Sequence, residues 1–282
     1  MKDLPPFLIT MFIKIVEQLC HQNKSKVGHP IKYETEVYLN LIFRRMRTGI
    51  QWNEFQKLNV IGPEYSGICK KQRRWVKCGV FKEFWKRCII FYSKRKGIQW
   101  NSLLVDASYV KNIRGCMVAS DQAGGRNLLG RNPTDRGRNS SKISALTDKR
   151  GVPLSIIIEK GNVHDSKLLA ATLDNLITRK RCDKRRKKNL HADLGYYGAK
   201  CNETIKKFGY NPIVPIKKQK GKSKPLMTTE SKLNNAIRSR VEAYFGWIDQ
   251  YRILHLRHEL YSDTYLALTQ FASGCIAIQK CL

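Results

Sequence analysis

Two patterns of apolar residues divide the chain. From Pro6 to about Lys96, apolar side chains recur at helical spacing in segments near 6–22, 33–48, 64–78 and 80–94, with almost no strand-like alternation. Gly28-His29-Pro30, Thr48-Gly49, Gly62-Pro63 and Gly79 punctuate these segments as helix stops or turns. After Gly97 the pattern changes to short apolar or β-branched runs bounded by Gly, Asn or Pro, which predict strands over 103–105, 143–147, 154–158, 190–192 and 212–215. Helical periodicity returns over 166–178, 199–208, 233–253 and 264–281, with Asp165 placed to cap the first of these. The stretch from Thr147 to Pro153 reads as a hairpin loop. Two antiparallel strands followed by strands alternating with helices predict an α/β fold, a mixed sheet flanked by helices. The expected organisation is a helical domain over 1–98 and a sheet domain over 99–282. Two long basic loops interrupt the second part, Lys111 to Lys142 and Lys217 to Lys224.

Composition narrows the partner. The 282 residues, 42% of them hydrophobic, suffice for one large or two ordinary domains with a sizeable core. Lys and Arg outnumber Asp and Glu by 53 to 22, a formal charge of +31, which favours polyanions and nucleic acid first among them. Anionic membrane is the weaker alternative, because no basic amphipathic helix or lipidation signal stands out. The longest apolar stretches, Phe7 to Val16 and Tyr265 to Ile278, are too short to span a bilayer and read as core helices. The N-terminal residues do not read as a cleavable signal, which with a reducing compartment predicts a cytoplasmic, nucleoid-associated protein, or a nuclear one in a eukaryotic host. The nine cysteines are scattered with no CxxC pair, so they signal neither a disulfide framework nor a zinc ribbon.

Within that basic chain the placement of three acids is informative. Asp106 closes the run Ser102-Leu103-Leu104-Val105, Asp193 follows Leu190-His191-Ala192, and Glu242 lies inside a helical pattern. Two strand ends and a helix that converge would give the oxygen ligands of a divalent-metal site for phosphate chemistry. Taken singly, each acid is also explained as a turn, cap or surface residue. Helical spacing aligns Asn235, Arg238, Glu242 and Asp249 on one stripe, so Arg238 pairs with Glu242 or meets a phosphate. In the segment 64–78, Tyr65, Ile68, Cys69, Gln72 and Val76 share one face and Lys70, Lys71, Arg74 and Lys77 another. A basic helix entered through a Gly-Pro turn suits the major groove, and a solvated face on a packed helix accounts for the same pattern.

Other motifs carry less. The run Arg179 to Lys188 is a phosphate contact or a solvated loop. His164-Asp165-Ser166 reads more readily as a helix cap than as part of a metal shell, and His255 and His258 read as surface neighbours. Gly221-Lys222-Ser223 lacks the first glycine of a phosphate-binding loop, so no nucleotide cofactor is expected. No Gly-x-Ser-x-Gly elbow and no cysteine beside a histidine signals covalent catalysis.

The chain resembles the DDE transposases of bacterial insertion sequences, in the IS-five-like branch. In the amino half the resemblance rests on Gly28-His29-Pro30, on Arg44 to Trp52 and on Arg73-Arg74-Trp75. Beyond these it rests on Val105 to Lys111, Gly130-Arg131, Lys142 to Asp148, Gly161 to Ser166, Ala192 to Tyr197 and Arg238 to Phe245. It implies a ribonuclease-H-like fold whose catalytic and metal-binding triad falls on Asp106, Asp193 and Glu242, with Mg²⁺ or Mn²⁺, as two ions, for cofactor. The implied activity is cleavage at terminal inverted repeats followed by attack of the freed 3′ hydroxyl on target DNA. Element ends and target are double-stranded, and paired ends imply a homodimer on DNA. Residues expected to contact DNA are Arg238, Lys142, Lys70, Lys71, Arg73 and Arg74. The family's helix signature often has Tyr and Lys where this chain has Asn235 and Asp249. A DNA-binding protein without cleavage activity, a decayed transposase or a regulator, is the second reading.

Overall fold

The protein is described by a computed structural model over residues 3–20, 33–58, 62–112, 128–178, 188–215 and 229–281, with the side chains of 229–238 outside the description. Gly28-His29-Pro30, the run 179–187 and the Lys-rich stretch 217–224 therefore lie outside the described residues, as do Arg114 and Arg126.

The amino half is helical: α1 (Pro6–Cys20), α2 (Thr35–Thr48), α3 (Trp52–Leu58), α4 (Tyr65–Lys77) and α5 (Val80–Arg95). Only α3 lies outside the expected segments; its seven residues are too few to display a periodicity. An aromatic cluster fills the interior of this half, with Phe12, Trp75, Phe81 and Phe84 gathered around Phe271. Phe271 belongs to α10 (Ser262–Gln279), which is apolar on every side and buried along almost its whole length. That helix packs on α5 on one side and on the sheet on the other. At Gly274 an added Cβ would come within 3.0 Å of the Phe84 ring, so a small residue is what permits the α10–α5 approach. One continuous core consequently runs from Leu4 to Cys281. Among the described residues no helix is long and apolar enough to cross a membrane.

The sheet is built from β1 (Ser102–Asn112), β3 (Asn139–Asp148), β4 (Pro153–Lys160), β5 (Asn189–His191) and β6 (Asn211–Ile213), with two-residue strands β2 (Gly130–Arg131) beside β3 and β7 (Leu256–Arg257) beside β1. The order is β4-β3-β1-β5-β6. The first three strands are antiparallel, while β5 and β6 join parallel to β1. This is the ribonuclease-H-like mixed sheet that the resemblance implied. Helices α6 (Asp165–Asp174), α7 (Ala199–Lys207), α8 (Thr229–Asp249) and α9 (Arg252–His255) flank it together with α10.

Three details depart from the expectation. Strand β1 does not stop at Val105, because its pairing with β3 continues from Leu103↔Asp148 to Lys111↔Ser140 and carries the polar residues Asp106 and Ser108 through the ladder. The cap of α6 is His164, whose side chain accepts from the Ser166 N–H, while Asp165 occupies the first turn. The helix expected over 233–253 ends at Asp249, and the chain then turns through α9 into β7.

The β3–β4 hairpin does form, around a fully buried carboxylate. Asp148 accepts from the Arg150 and Val152 N–H groups at 2.9 and 3.1 Å and from the Tyr92 hydroxyl of α5 at 2.7 Å. Arg150 also donates to the carbonyls of Lys96 and Gly97, which ties the end of α5 to the hairpin.

Candidate active site

The register of β1 and β5 runs toward two of the three acids. Ser102 pairs with Asn189, Leu103 with Leu190 and Leu104 with His191. Two further residues along each strand lead to Asp106 and Asp193. Asp193 keeps an extended backbone (φ −82°, ψ 173°) before the chain turns. Asp106 and Asp193 thus each lie two residues beyond the last register pair, Leu104↔His191. Asp106 accepts from the Ala107 N–H at 2.8 Å. The expectation of two strand ends is therefore corrected: Asp106 lies within a strand, and only Asp193 lies beyond one.

What opens the site is the edge of β1. On the side away from β3, β5 pairs with residues 102–104 and β7 with 111–112. Between them, residues 105–110 have no strand partner on that edge among the described residues. Asp106 sits in this notch. Further along β1, toward β7, lies a cavity of about 240 Å³, lined by Ser108, Tyr109, Phe245, Ile248, Asp249 and His255 among others, with none of the three acids in its lining.

The chain beyond Asp193 is firmly held. A 3-10 turn, Leu194–Tyr196, starts with the Tyr196 N–H donating to the Asp193 carbonyl at 2.9 Å. Tyr196 is buried, and burial pushes its phenol pKa well up, with the charges of Asp165 and Asp106 adding to the effect. The same turn rests on the start of α6, where a Cβ on Gly195 would lie 3.2 Å from Asp165 Oδ2. Asp165 in turn is ion-paired at 2.6 Å with Lys142, which also donates to the Val163 carbonyl and lies 4.3 Å from the centre of the Tyr109 ring. His191, two residues before Asp193, hydrogen bonds Ser102 Oγ through Nε2 at 3.0 Å while its Nδ1 is buried without a protein partner. Burial, helped by Lys149, lowers the His191 pKa.

Helix α8 crosses this region and packs chiefly on β1. Val241, Tyr244 and Ile248, at three- and four-residue spacing, are its buried stripe, and Tyr244 is anchored by a 2.9 Å hydrogen bond with Ser273. Glu242 is adjacent to that stripe and exposed. Among the described residues no three His, Cys, Asp or Glu side chains stand close enough to hold a metal. The side chain of Arg238 lies outside the described residues. Asp249 lies 3.4 Å from His255 Nδ1.

The expected DNA contacts separate into two groups. Lys142 is corrected: it is buried, and its ammonium is engaged by Asp165 and a carbonyl instead of facing a phosphate. Arg73 is likewise turned inward, donating to Asp263 and Thr264 at 2.6 Å and stacking 4.2 Å from the Tyr261 ring centre. Arg74 is exposed while donating to the Cys20 carbonyl at 3.0 Å. Lys70 and Lys77 are exposed, and Lys71 is half-buried, with burial and then Arg74 lowering its pKa. The buried face of α4 is formed by Ile68, Gln72 and Trp75. Sequence reasoning missed the Lys142–Asp165 pair; the available signal was a lysine in a strand whose neighbours, Ser141, Ile143, Ser144 and Ala145, are small or apolar.

A ribonuclease-H-like sheet with paired aspartates at its open notch defines an enzyme of the nuclease and transposase class. The transposase DDE domain family matches residues 103–270, from β1 into α10 and across all three acids, and the chain belongs to that family. A Burkholderia cepacia protein described as a transposase for insertion sequence element IS402 is 27% identical over 157 residues, 55% of this chain and 69% of that protein. Among solved structures, the catalytic domain of Mos1 mariner transposase matches with a TM-score of 0.28 and 13% identity over 71% of this chain and 93% of that one. The Mos1 paired-end complex with Mn matches with a TM-score of 0.28 and 12% identity over 99% and 88%.

Proposed function

We propose that this transposase binds the terminal inverted repeats of an insertion sequence as double-stranded DNA, cleaves there, and joins the freed 3′ end to target DNA with the same site. The observation that supports this reading is the β1–β5 register: Asp106 and Asp193 each follow the last paired residues, Leu104 and His191, by two positions, at the unpaired edge of β1. Carboxylate oxygens are the donors that Mg²⁺ and Mn²⁺ prefer, so this pair fits a divalent cation. Asp106 and Asp193 would hold it from the sheet and Glu242 from α8. Bound there, as one ion or two, the metal supplies activation of water or of a 3′ hydroxyl and neutralises charge on the phosphate. The protein's own contribution is position. Tyr196 and Asp165 fix the turn that carries Asp193, and the β3 ladder fixes Asp106.

Residues 1–98 are the proposed DNA-binding domain, with the exposed Lys70, Arg74 and Lys77 of α4 toward phosphate. Two ends brought together call for two copies of the chain on DNA. The test is a nicking assay with the full chain, Mg²⁺ and a duplex bearing the element's own ends. Asp106→Asn, Asp193→Asn and Glu242→Gln each abolish nicking and leave DNA binding intact. An Asp106→Asn protein as active as the wild type would overturn the assignment. Binding with no cleavage by the wild type would instead identify a non-catalytic DNA-binding protein.

A further inference from the structure

The turn that follows Asp193 displays two large apolar side chains to solvent. Leu194 is 47% exposed and Tyr197 is 53% exposed, while Tyr196 between them is fully buried. Of the large hydrophobic residues with substantial exposure, these two lie on the one element that begins at a proposed catalytic acid. Their exposure is imposed by the turn, because Tyr196 is locked into the core and Gly195 lies against Asp165, itself ion-paired with the buried Lys142. The backbone bonds from Tyr196 to Asp193 and from Tyr197 to Leu194, at 2.9 and 3.0 Å, hold the turn closed. Gly198 then starts α7, which keeps Tyr197 from continuing into the helix.

We propose that Leu194 and Tyr197 form a stacking and wedge surface for the bases next to the cleaved phosphate, opening the end of the duplex as it enters the site. The occupant follows from chemistry on this surface. The chain carries a net charge of +31, so the polyanion that reaches Asp193 is nucleic acid, and what it offers a tyrosine ring and a leucine is the face of an unstacked base. Distance suits this as well. A 3-10 turn rises about 2 Å per residue, so the span from Leu194 to Tyr197 is about 6 Å, roughly two base steps of about 3.4 Å. A rigid turn presents the ring at little entropic cost when DNA arrives. Leu194 enters as a wedge and Tyr197 as a platform, both acting on the substrate's bases and not on the reacting phosphate.

This proposal rests on the transposase reading, and its test separates the two. A duplex with the element's end, carrying 2-aminopurine at the positions flanking the cleavage site, is mixed with the full chain in Ca²⁺. Base unstacking is read as a rise in fluorescence; nicking is then followed in Mg²⁺. The wild type and Tyr197→Phe, which keeps the ring, give the fluorescence rise. Tyr197→Ala and Leu194→Ala lose it and nick the paired end about tenfold or more slowly, the scale of one lost base stack. Both alanine variants recover on a substrate whose terminal base pairs are mismatched, a rescue that a misfolded or metal-deficient site does not give. If Tyr197→Ala unstacks the end and nicks paired and mismatched ends as the wild type does, the wedge is overturned. A fluorescence rise in the wild type that both alanine variants lose, with no nicking by any of these proteins, overturns the cleavage reading alone.

Discussion

At the scale of single residues, two buried charges decide how the site is held. Lys142 sits inside β3 with its side chain 3% exposed, where an ammonium is costly without partners, and it finds them in Asp165 and the Val163 carbonyl. Replacing Lys142 with Ala leaves Asp165 without its cation and loosens the rest of the turn that carries Asp193. The expected loss is about 2 kcal/mol in urea unfolding, the scale of a hydrogen bond to a charged group, together with slower nicking. The salt dependence of DNA binding should stay the same, because no phosphate contact is removed; a slope that fell by about one would return Lys142 to the DNA interface. Asp148 is the second case. Its carboxylate accepts from Tyr92, Arg150 and Val152, and burial pushes the Tyr92 phenol pKa up and keeps it a donor. Asp148→Ala orphans these donors and costs about 3 kcal/mol or more. Asp148→Asn retains one acceptor oxygen and should lose clearly less, a ranking that thermal or urea melts read directly.

Elements carry the site from local pattern to geometry, and here the sequence was legible to differing degrees. Helices α1, α2, α4, α5, α7 and α10 and the five main strands lie where periodicity and Gly or Pro punctuation put them, because each buries one face or is apolar all round. Strand β7 and the far half of β1 were not visible, since Leu256–Arg257 is a strand through its distant pairing with Lys111–Asn112, and the polar residues beyond Val105 are held in β1 by their ladder with β3. That pairing, with the shortness of β5, creates the notch, so the acids were proposed from local context while the open edge of β1 beside Asp106 was not legible there. The same limit applies to Lys142, whose charge reads as surface until the fold buries it. Helix α8 shows how an element sets a side chain at a distance. Gly151 has φ +80°, and an added Cβ would lie 2.7 Å from the Arg240 carbonyl, two residues before Glu242. Gly151→Ala therefore strains the hairpin and pushes α8 off it. We expect nicking to drop by an order of magnitude or more, with DNA affinity within about twofold of wild type. Equal losses of binding and nicking would mean that α8 serves the DNA interface and not the placement of Glu242.

Across the whole molecule, the helical half and the sheet are joined through α10 and through charge. Arg45 pairs with Glu259 at 2.6 Å and stacks over Trp52, and Arg73 pairs with Asp263 at 2.6 Å, so arginines of α2 and α4 grip the segment after β7 and the first turn of α10. These cations are engaged in holding the protein together, whereas Lys70 and Lys77 project from α4 into solvent. The basic surplus thus has two uses that a salt titration distinguishes. Each phosphate neutralised contributes about −0.9 to the slope of log K against log salt concentration on duplex DNA. If α4 lies against the backbone, the Lys70→Ala, Lys77→Ala double variant weakens binding to all duplexes and reduces the magnitude of the slope by about two. Arg73→Ala should leave the slope unchanged and cost no more than about 1 kcal/mol of stability, since its partner Asp263 is 38% exposed. Fluorescence anisotropy over a range of salt concentrations measures both. An unchanged slope in the lysine double variant would remove α4 from the interface. A reduced slope in Arg73→Ala would mean that DNA displaces Asp263 and takes the arginine, making the clasp between the two halves part of DNA recognition.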